Sequence, residues 1–390
     1  MARAKPKSVS RMGGTSKILH IFPTFAPGGV QLRIIRLIER LEAGRYQHQI
    51  LALDQNYRAA AHAPNLPDLD FYEQDQSPLK DVTLSGLSGL MQRRRALAKV
   101  GPDLLCTYNW GAMDWAMAAR FGPLPHLHFE SGFGPDEAIK PLRRRSLFRQ
   151  FALARIKALV VPSQTLVEIA NRHHWVAPKK IRHIPNAVDC QWYQPGEKPE
   201  RVADDNLELL TIAPLRAEKR LDRLIDHFAP LVHINPRVRL TILGEGPCRP
   251  ALEAQIAELG VGHRIALHGH VTDIRPALNR ADLFLMTSIT EQMPNALLQA
   301  MAAGLPVLAF AAGDIAAILP PKARFLVFAQ NDDAGFGKAL LDLAQNPSLR
   351  HDLGAENRRR VVAHYDLDIM VAAYDALYQQ ALALQALDVS

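Results

Sequence analysis

Short apolar runs alternate with amphipathic stretches along almost the whole chain. KILHIFP (17–23), HQILAL (48–53), DLLCTY (103–108), HLHF (126–129) and ALVVPS (158–163) are apolar enough to be strands. VQLRIIRLIERLEAG (30–44) carries its apolar residues at helical spacing. The charged, proline-bearing stretch PGEKPERVADDN (195–206) has no such period, and after it the pattern starts again. LELLTIAPL (207–215), VRLTILGEGP (238–247), RIALHG (264–269), DLFLMTS (282–288) and FLVF (325–328) predict strands and their turns. Helical periods lie between them at 219–234, 249–260 and 274–281. From 337 the chain reads as helix to its end, with a break around Tyr365 and Asp366. Strands alternating with helices predict an α/β chain of doubly wound parallel sheets.

The length of 390 residues suits two domains. The expected division is a basic tail at 1–16 without fixed structure, a Rossmann-like domain at 17–195 and a linker at 196–206. A second Rossmann-like domain follows at 207–365, and a helix at 366–390 is expected to pack back on the first domain. In open α/β sheets ligands sit beyond the carboxyl ends of the strands, so the expected site is the cleft that the two domains face.

The formal charge of +7 points to an acidic partner: a phosphate, an anionic lipid or a nucleic acid. Three scattered cysteines without a C-x-x-C pair give neither a disulfide framework nor a zinc site, and fit a reducing compartment. The first residues, MARAKPKSVSRMGGTSK, lack the apolar centre of a signal peptide. No apolar run reaches the length of a membrane span.

Three stretches carry chemistry. FAPGGVQLRII places Gly28 and Gly29 between a strand and a helix, where bare amides favour an anion; a plain tight turn accounts for the same pair. LTILGEGP repeats the theme with Gly244 and Gly246, and turn chemistry suffices for Glu245. APLRAEKR sets Arg216 and Lys219 at a strand end, where a lysine suits a diphosphate and a solvated face is the plainer alternative. In ITEQMPNALLQAMAAGLPVLAF (289–310), Pro294 fits the first turn of a helix. The amides near Asn295 to Leu297 are then open to an acceptor-rich ligand, with Glu291 just upstream and Gln299 a turn inside.

Taken together, APGGVQLRI, VVPSQTLVEIA, IPNAVD (184–189), LTILGEGP, LHGHVTDI and SITEQMPNALLQAMAAGLPVLA resemble, in order and spacing, the retaining GT-B glycosyltransferases of family 4 (glycosyl transferases group 1) over about residues 17–365. The resemblance implies that Gly28 and Gly29 lie beside a donor diphosphate and that Lys219 pairs with it. It implies that Val271 meets the nucleobase, that Glu291 and the backbone of Met293, Pro294 and Asn295 hold the donor sugar, that Leu298 packs near the nucleoside and that Gln299 bonds the ribose. By its own sequence Leu298 also reads as core. Gly244, Arg216, Lys219 and Glu291 complete the expected donor site, and Glu130 and His128 are the expected catalytic side chains of the first domain, with Lys219 and Glu291 in the second.

The chain departs from the family pattern at four places. The second glutamate of the family is Gln299, its phosphate arginine falls on Pro214 with Arg216 two residues on, its P-N-G-V-D glycine is Ala187, and its first-domain histidine falls on Ser131. His126, His128, Glu130, Asp136 and Glu137 lie near that last position.

The implied reaction is a metal-independent transfer with retention. The donor is a UDP- or GDP-linked sugar acting as co-substrate, without a resident cofactor, and the setting is cell-envelope polysaccharide, lipopolysaccharide or glycolipid synthesis. The basic run KPLRRRSLFRQFALARIK (140–157) puts Arg143, Arg144, Arg145 and Arg149 on the acceptor side, against an anionic membrane or simply in solvent. The expected location is cytoplasmic, either free or peripheral on the cytoplasmic face of the membrane. Two other readings share the architecture: a nucleotide- or glycan-binding scaffold without transferase activity, and a sugar-nucleotide epimerase. Nucleic acid is not an expected partner, because the basic runs lack interleaved aromatics.

Overall fold

The computed structural model describes residues 15–63, 66–72, 86–132, 142–196 and 206–388, with side chains to 383. Most of the expected tail and linker, together with Asp136 and Glu137, lies outside the described residues.

Thirteen strands are formed among these residues. They are β1 (Ser16–Phe22), β2 (Tyr46–Ala52), β3 (Leu69–Phe71), β4 (Leu104–Tyr108), β5 (His126–Phe129), β6 (Ala158–Val161), β7 (Ile181–His183), β8 (Leu207–Ile212), β9 (Val238–Leu243), β10 (Ile265–Leu267), β11 (Leu283–Met286), β12 (Val307–Phe310) and β13 (Val327–Phe328). The first seven run in the order β3-β2-β1-β4-β5-β6-β7, and the last six in the order β10-β9-β8-β11-β12-β13. Pairing is parallel, as in Ile18↔His48 and Ile18↔Leu104 around β1, and Leu209↔Leu240 and Leu209↔Leu283 around β8. Both sheets are thus Rossmann-like, with helices returning the chain between parallel strands.

The strand order reverses direction between β1 and β4 in one sheet, and between β8 and β11 in the other. At such a switch point the loops leaving adjacent strands diverge and open a crevice at their carboxyl ends. Gly28 and Gly29 follow β1, Arg216 and Lys219 follow β8, and Glu291 follows β11. The sheet topology therefore puts the glycine pair at one reversal, and the lysine and glutamate together at the other.

By mutual contact the described residues form two compact units. One holds the chain up to Phe129 with Phe151–Ala158 and the residues from Leu377; the other holds Glu130–Gln150 and Leu159–Ala376. The last helix, Leu367–Asp388, brings Tyr378 edge-on to Tyr46 at 5.7 Å between centroids within the first unit. The helical stretch expected from 337 is three helices, Asp333–Gln345, Pro347–His364 and Leu367–Asp388: the break expected around Tyr365 and Asp366 is present, and a second one falls at Asn346. Pro347 has no N–H to continue a helix, and Asn346 before it caps the next one by accepting from the Leu349 amide at 2.9 Å.

Candidate functional site

In the first unit Gly28 is the N-cap of the helix Gly29–Arg40, extended at φ −166°, with no side chain capping the first amides. Gln31 folds back over the turn, its Nε2 donating to the Thr24 carbonyl at 2.9 Å. A Cβ on Gly28 would come within 2.8 Å of the Gln31 Oε1. The glycine leaves Gln31 room to fold over the turn.

In the second unit two separate phrases of the sequence converge. Lys219 Nζ donates to Glu291 Oε1 at 2.5 Å, and the Ser288 hydroxyl donates to the same oxygen at 2.8 Å. Lys219 closes a 3-10 turn, Ala217–Lys219, which Arg220 ends in the left-handed region at φ 47°. The Thr287 hydroxyl, on the loop leaving β11, donates to the Lys219 and Arg220 carbonyls at 3.0 and 2.9 Å. The Ile289 amide donates to the Glu218 carbonyl at 2.9 Å. The loop after β8 is thereby tied to the loop after β11. The two side chains retain 16 and 11% of their exposure, so the pair is enclosed yet still reachable from solvent.

The loop that carries Glu291 is fixed from several sides. The Asn186 side chain donates to the Met293 carbonyl at 2.8 Å. The Ser163 hydroxyl donates to Gln292 Oε1 at 3.1 Å. The Asp314 amide donates to the Gln292 carbonyl at 3.2 Å. Asp314 in turn accepts from the Gln164 amide at 2.5 Å and from the Thr165 hydroxyl at 2.7 Å. Gly313, at φ +49°, lies so close that a Cβ would come within 2.1 Å of the Glu291 carbonyl oxygen. Any larger residue there displaces the Glu291 backbone itself. None of Ser163, Asn186, Gly313 and Asp314 stands out in the sequence as chemistry, although IPNAVD and VVPSQ contain two of them.

Pro294 is the N-cap of the helix Asn295–Ala302, one place earlier than expected, and no side chain caps it. Leu298 is fully buried and Met293 nearly so, both within the core of the second unit. Val271 packs partly buried against that core. Gln299 donates to the Tyr193 hydroxyl at 3.1 Å, so its amide already has a partner. Gly244, at φ +149°, has no room for a Cβ, which would fall 1.8 Å from the Ala213 carbonyl oxygen. That glycine lets β9 pass directly under the turn after β8, a packing reason for its place beside the site. Arg216 and Pro214 are exposed on the turn itself.

Three expectations need correction. His128 is fully buried, its Nδ1 sharing the Thr107 hydroxyl at 2.7 Å with His126 Nε2, also at 2.7 Å. Glu130 is 2% exposed and paired with Arg149 at 2.8 Å. Both side chains are thus enclosed by protein partners in this structure, where an exposed catalytic group was expected. Arg149 itself is 1% exposed, so it does not offer its charge to an acceptor or a membrane. On the helix Arg143–Ala152 its place in the turn aligns with buried Ser146 and Ala152, while Arg143, Arg144, Leu147 and Phe151 point outward. Arg145 is half-buried. Among the described residues no three histidines, cysteines or acids come together to hold a metal ion.

Comparison with known proteins places the fold and the family. Residues 27–192 match the glycosyltransferase family 4 pattern and residues 206–346 the glycosyl transferases group 1 pattern. A phosphatidylinositol N-acetylglucosaminyltransferase polypeptide of Arabidopsis thaliana is 28% identical over 186 residues, which is 47% of this chain and 41% of that protein. The match thus spans well under half of that relative's length. The D-inositol 3-phosphate glycosyltransferase of Streptomyces scabiei is 24% identical over 413 aligned positions, covering 97% of this chain and 92% of its own. Among solved structures, Anabaena HepE in complex with UDP superposes with a TM-score of 0.77 at 16% identity, covering 93% of this chain and all of that one. The chain has the GT-B fold and is related to the family-4 and group-1 glycosyl transferases.

Proposed function

We propose that this protein is a glycosyltransferase. It takes a sugar from a UDP- or GDP-linked donor and places it, with retention of configuration, on an acceptor hydroxyl in cell-envelope glycan or glycolipid synthesis. The observation that carries this reading is the Lys219–Glu291 pair at the strand reversal between β8 and β11. Lys219 supplies a compact cation for the diphosphate. Glu291, steadied by Ser288, accepts from the hydroxyls of the donor sugar. The uncapped amides after Pro294, and those after Gly28, provide partial positive charge for phosphate oxygens. As the glycosidic bond to the diphosphate breaks, negative charge grows on the leaving oxygen, and the same groups stabilise it. The departing phosphate takes the proton of the incoming hydroxyl on the face it leaves, which accounts for retention without a protein base. That fits the enclosure of His128 and Glu130. The nucleotide sugar is a co-substrate and no resident cofactor is invoked.

Calorimetric titration with UDP, GDP and ADP tests the donor half of this reading. One of UDP and GDP is expected to bind and ADP to bind at least tenfold more weakly; heat from none of the three overturns it.

The acceptor half rests on the helix Arg143–Ala152. Its outer face joins Arg143 and Arg144 to Leu147, 58% exposed, and Phe151, 49% exposed. Cations beside exposed apolar side chains on one helical face suit the headgroup region of an anionic membrane, where a lipid-linked acceptor would lie. No described helix is long and apolar enough to cross a membrane. The protein is expected to sediment with vesicles containing phosphatidylglycerol and not with purely zwitterionic ones. An Arg143→Glu, Leu147→Glu variant is expected to stay in the supernatant, and equal sedimentation of the two proteins argues against this surface.

A further inference from the structure

A cavity of about 540 Å³ lies in the second unit, at the opening ends of β8, β9 and β10. Lys219 and Glu291 follow the closing ends of β8 and β11, so the cavity belongs to the other end of the sheet. Its composition follows from strand register. Glu208 on β8 pairs with Arg239 on β9, and Arg264 immediately precedes the pair Ile265↔Leu240. Arg239 and Arg264 therefore stand side by side on one face of the sheet. One row further in, Leu210, Thr241 and Ala266 are in register and share that face. The wall opposite comes from the short helix Arg275–Arg280, which contributes Ala277 and Arg280.

Three arginines thus border the cavity against one glutamate. Like charges on neighbouring strands repel, and nothing in the strand pairing offsets Arg264. The Arg264 Nε is enclosed and makes no hydrogen bond. Planar guanidinium forks match the oxygen spacing of phosphate. The volume falls within the range of small-molecule sites, about 300–1,000 Å³, and the inner row offers a hydroxyl and apolar carbon where a sugar ring could rest.

The geometry points to a second ligand site here, taking an organic phosphate of the size of a sugar phosphate. It is independent of the donor site, both in place and in the residues that form it.

Calorimetry with glucose 6-phosphate, inorganic phosphate, glucose and glucuronate tests this on the intact protein. Glucose 6-phosphate is expected to bind, glucose to give no heat, and the other two anions to bind at least tenfold more weakly. Arg239→Gln and Arg264→Gln are each expected to weaken glucose 6-phosphate at least tenfold, while Lys219→Ala leaves it unchanged. Arg239 is exposed, so its variant isolates loss of charge from loss of folding. Absence of binding overturns the proposal. So does binding lost in Lys219→Ala and kept in the two arginine variants, because the ligand then occupies the donor site. Equal affinity for inorganic phosphate or glucuronate overturns the assignment to an organic phosphate.

Discussion

Replacing Lys219 by alanine is expected to lower kcat/KM for sugar transfer by about a hundredfold or more, the scale seen when one preorganised donor is taken from a site of developing charge. Two effects add. The diphosphate loses the cation that compensates its oxygens in the ground state, which raises KM. It also loses that cation as the leaving oxygen gains charge, which lowers kcat. Glu291, 11% exposed, is meanwhile left without the ammonium that sits 2.5 Å from it. A carboxylate kept from water without its partner rotates toward solvent, and that change spoils its reach to the sugar. Lys219→Arg separates the two effects. It keeps the charge, but a planar guanidinium does not reproduce the compact point donor that meets Glu291, so part of the loss should remain. Steady-state kinetics with the nucleotide sugar selected by calorimetry, alongside melting temperatures, reads the result. A kcat/KM within threefold of the parent in Lys219→Ala would remove Lys219 from the mechanism.

The parts of this site that sequence makes legible are those whose chemistry shows without the fold. A lysine at a strand end and a glutamate ahead of a proline-started helix are visible as residues, and the alternation of strand and helix already implies that they meet at carboxyl ends. Their direct contact is not legible, because it depends on how the loops after β8 and β11 are tied by Thr287 and Ile289. Glu130 and His128 mislead for the complementary reason. An acid and a histidine near a strand end look reactive in a linear reading, and only the tertiary structure shows the partners that enclose them. Arg149 reaches Glu130 from nineteen residues away on a helix whose other arginines are more exposed. Counting the basic residues of that run cannot tell the inward one from the rest, whereas the spacing of Ser146, Arg149 and Ala152 on one face can. Gly313 and Asn186 are silent because their role is to hold another loop's backbone, which leaves no chemical signature of its own.

Mild acid is expected to destabilise the protein steeply, through histidines buried in the first unit. His20 Nδ1 meets the Tyr108 hydroxyl at 2.8 Å and His20 Nε2 meets His48 Nδ1 at 2.9 Å. Tyr108 is itself sandwiched between Phe22, at 3.8 Å, and Phe129, at 4.8 Å. Burial, and then the neighbouring His48, hold the His20 pKa well below its ordinary value. Burial lowers His48 to about 4, against an opposing pull from Asp68. Burial lowers His126 to about 3. The folded-state values lie below those of the unfolded chain, so between them the unfolded chain binds more protons, and stability falls as pH falls. The contribution is complete about one pH unit above 6.5, where histidine in an unfolded chain has become neutral. It declines through pH 6 and 5 and levels off only near the folded values. Each unit of separation is worth about 1.4 kcal/mol. Two or three such groups therefore remove on the order of several kcal/mol by pH 4, comparable with the whole stability of a domain, about 5–15 kcal/mol. The Tyr108–His20–His48 chain sharpens the effect. A single proton occupies the contact between the two rings, so both cannot become charged without breaking it. Melting temperatures recorded from pH 8 to pH 4 in buffers of constant ionic strength should therefore fall steeply below pH 6. His126→Gln keeps a polar partner for Thr107 while removing one titrating group, and should flatten the slope even where it lowers the melting temperature at pH 8. A parent protein whose melting temperature is level from pH 7 to 4.5 would show that these rings accept protons in place, with the sheet around them opening to water.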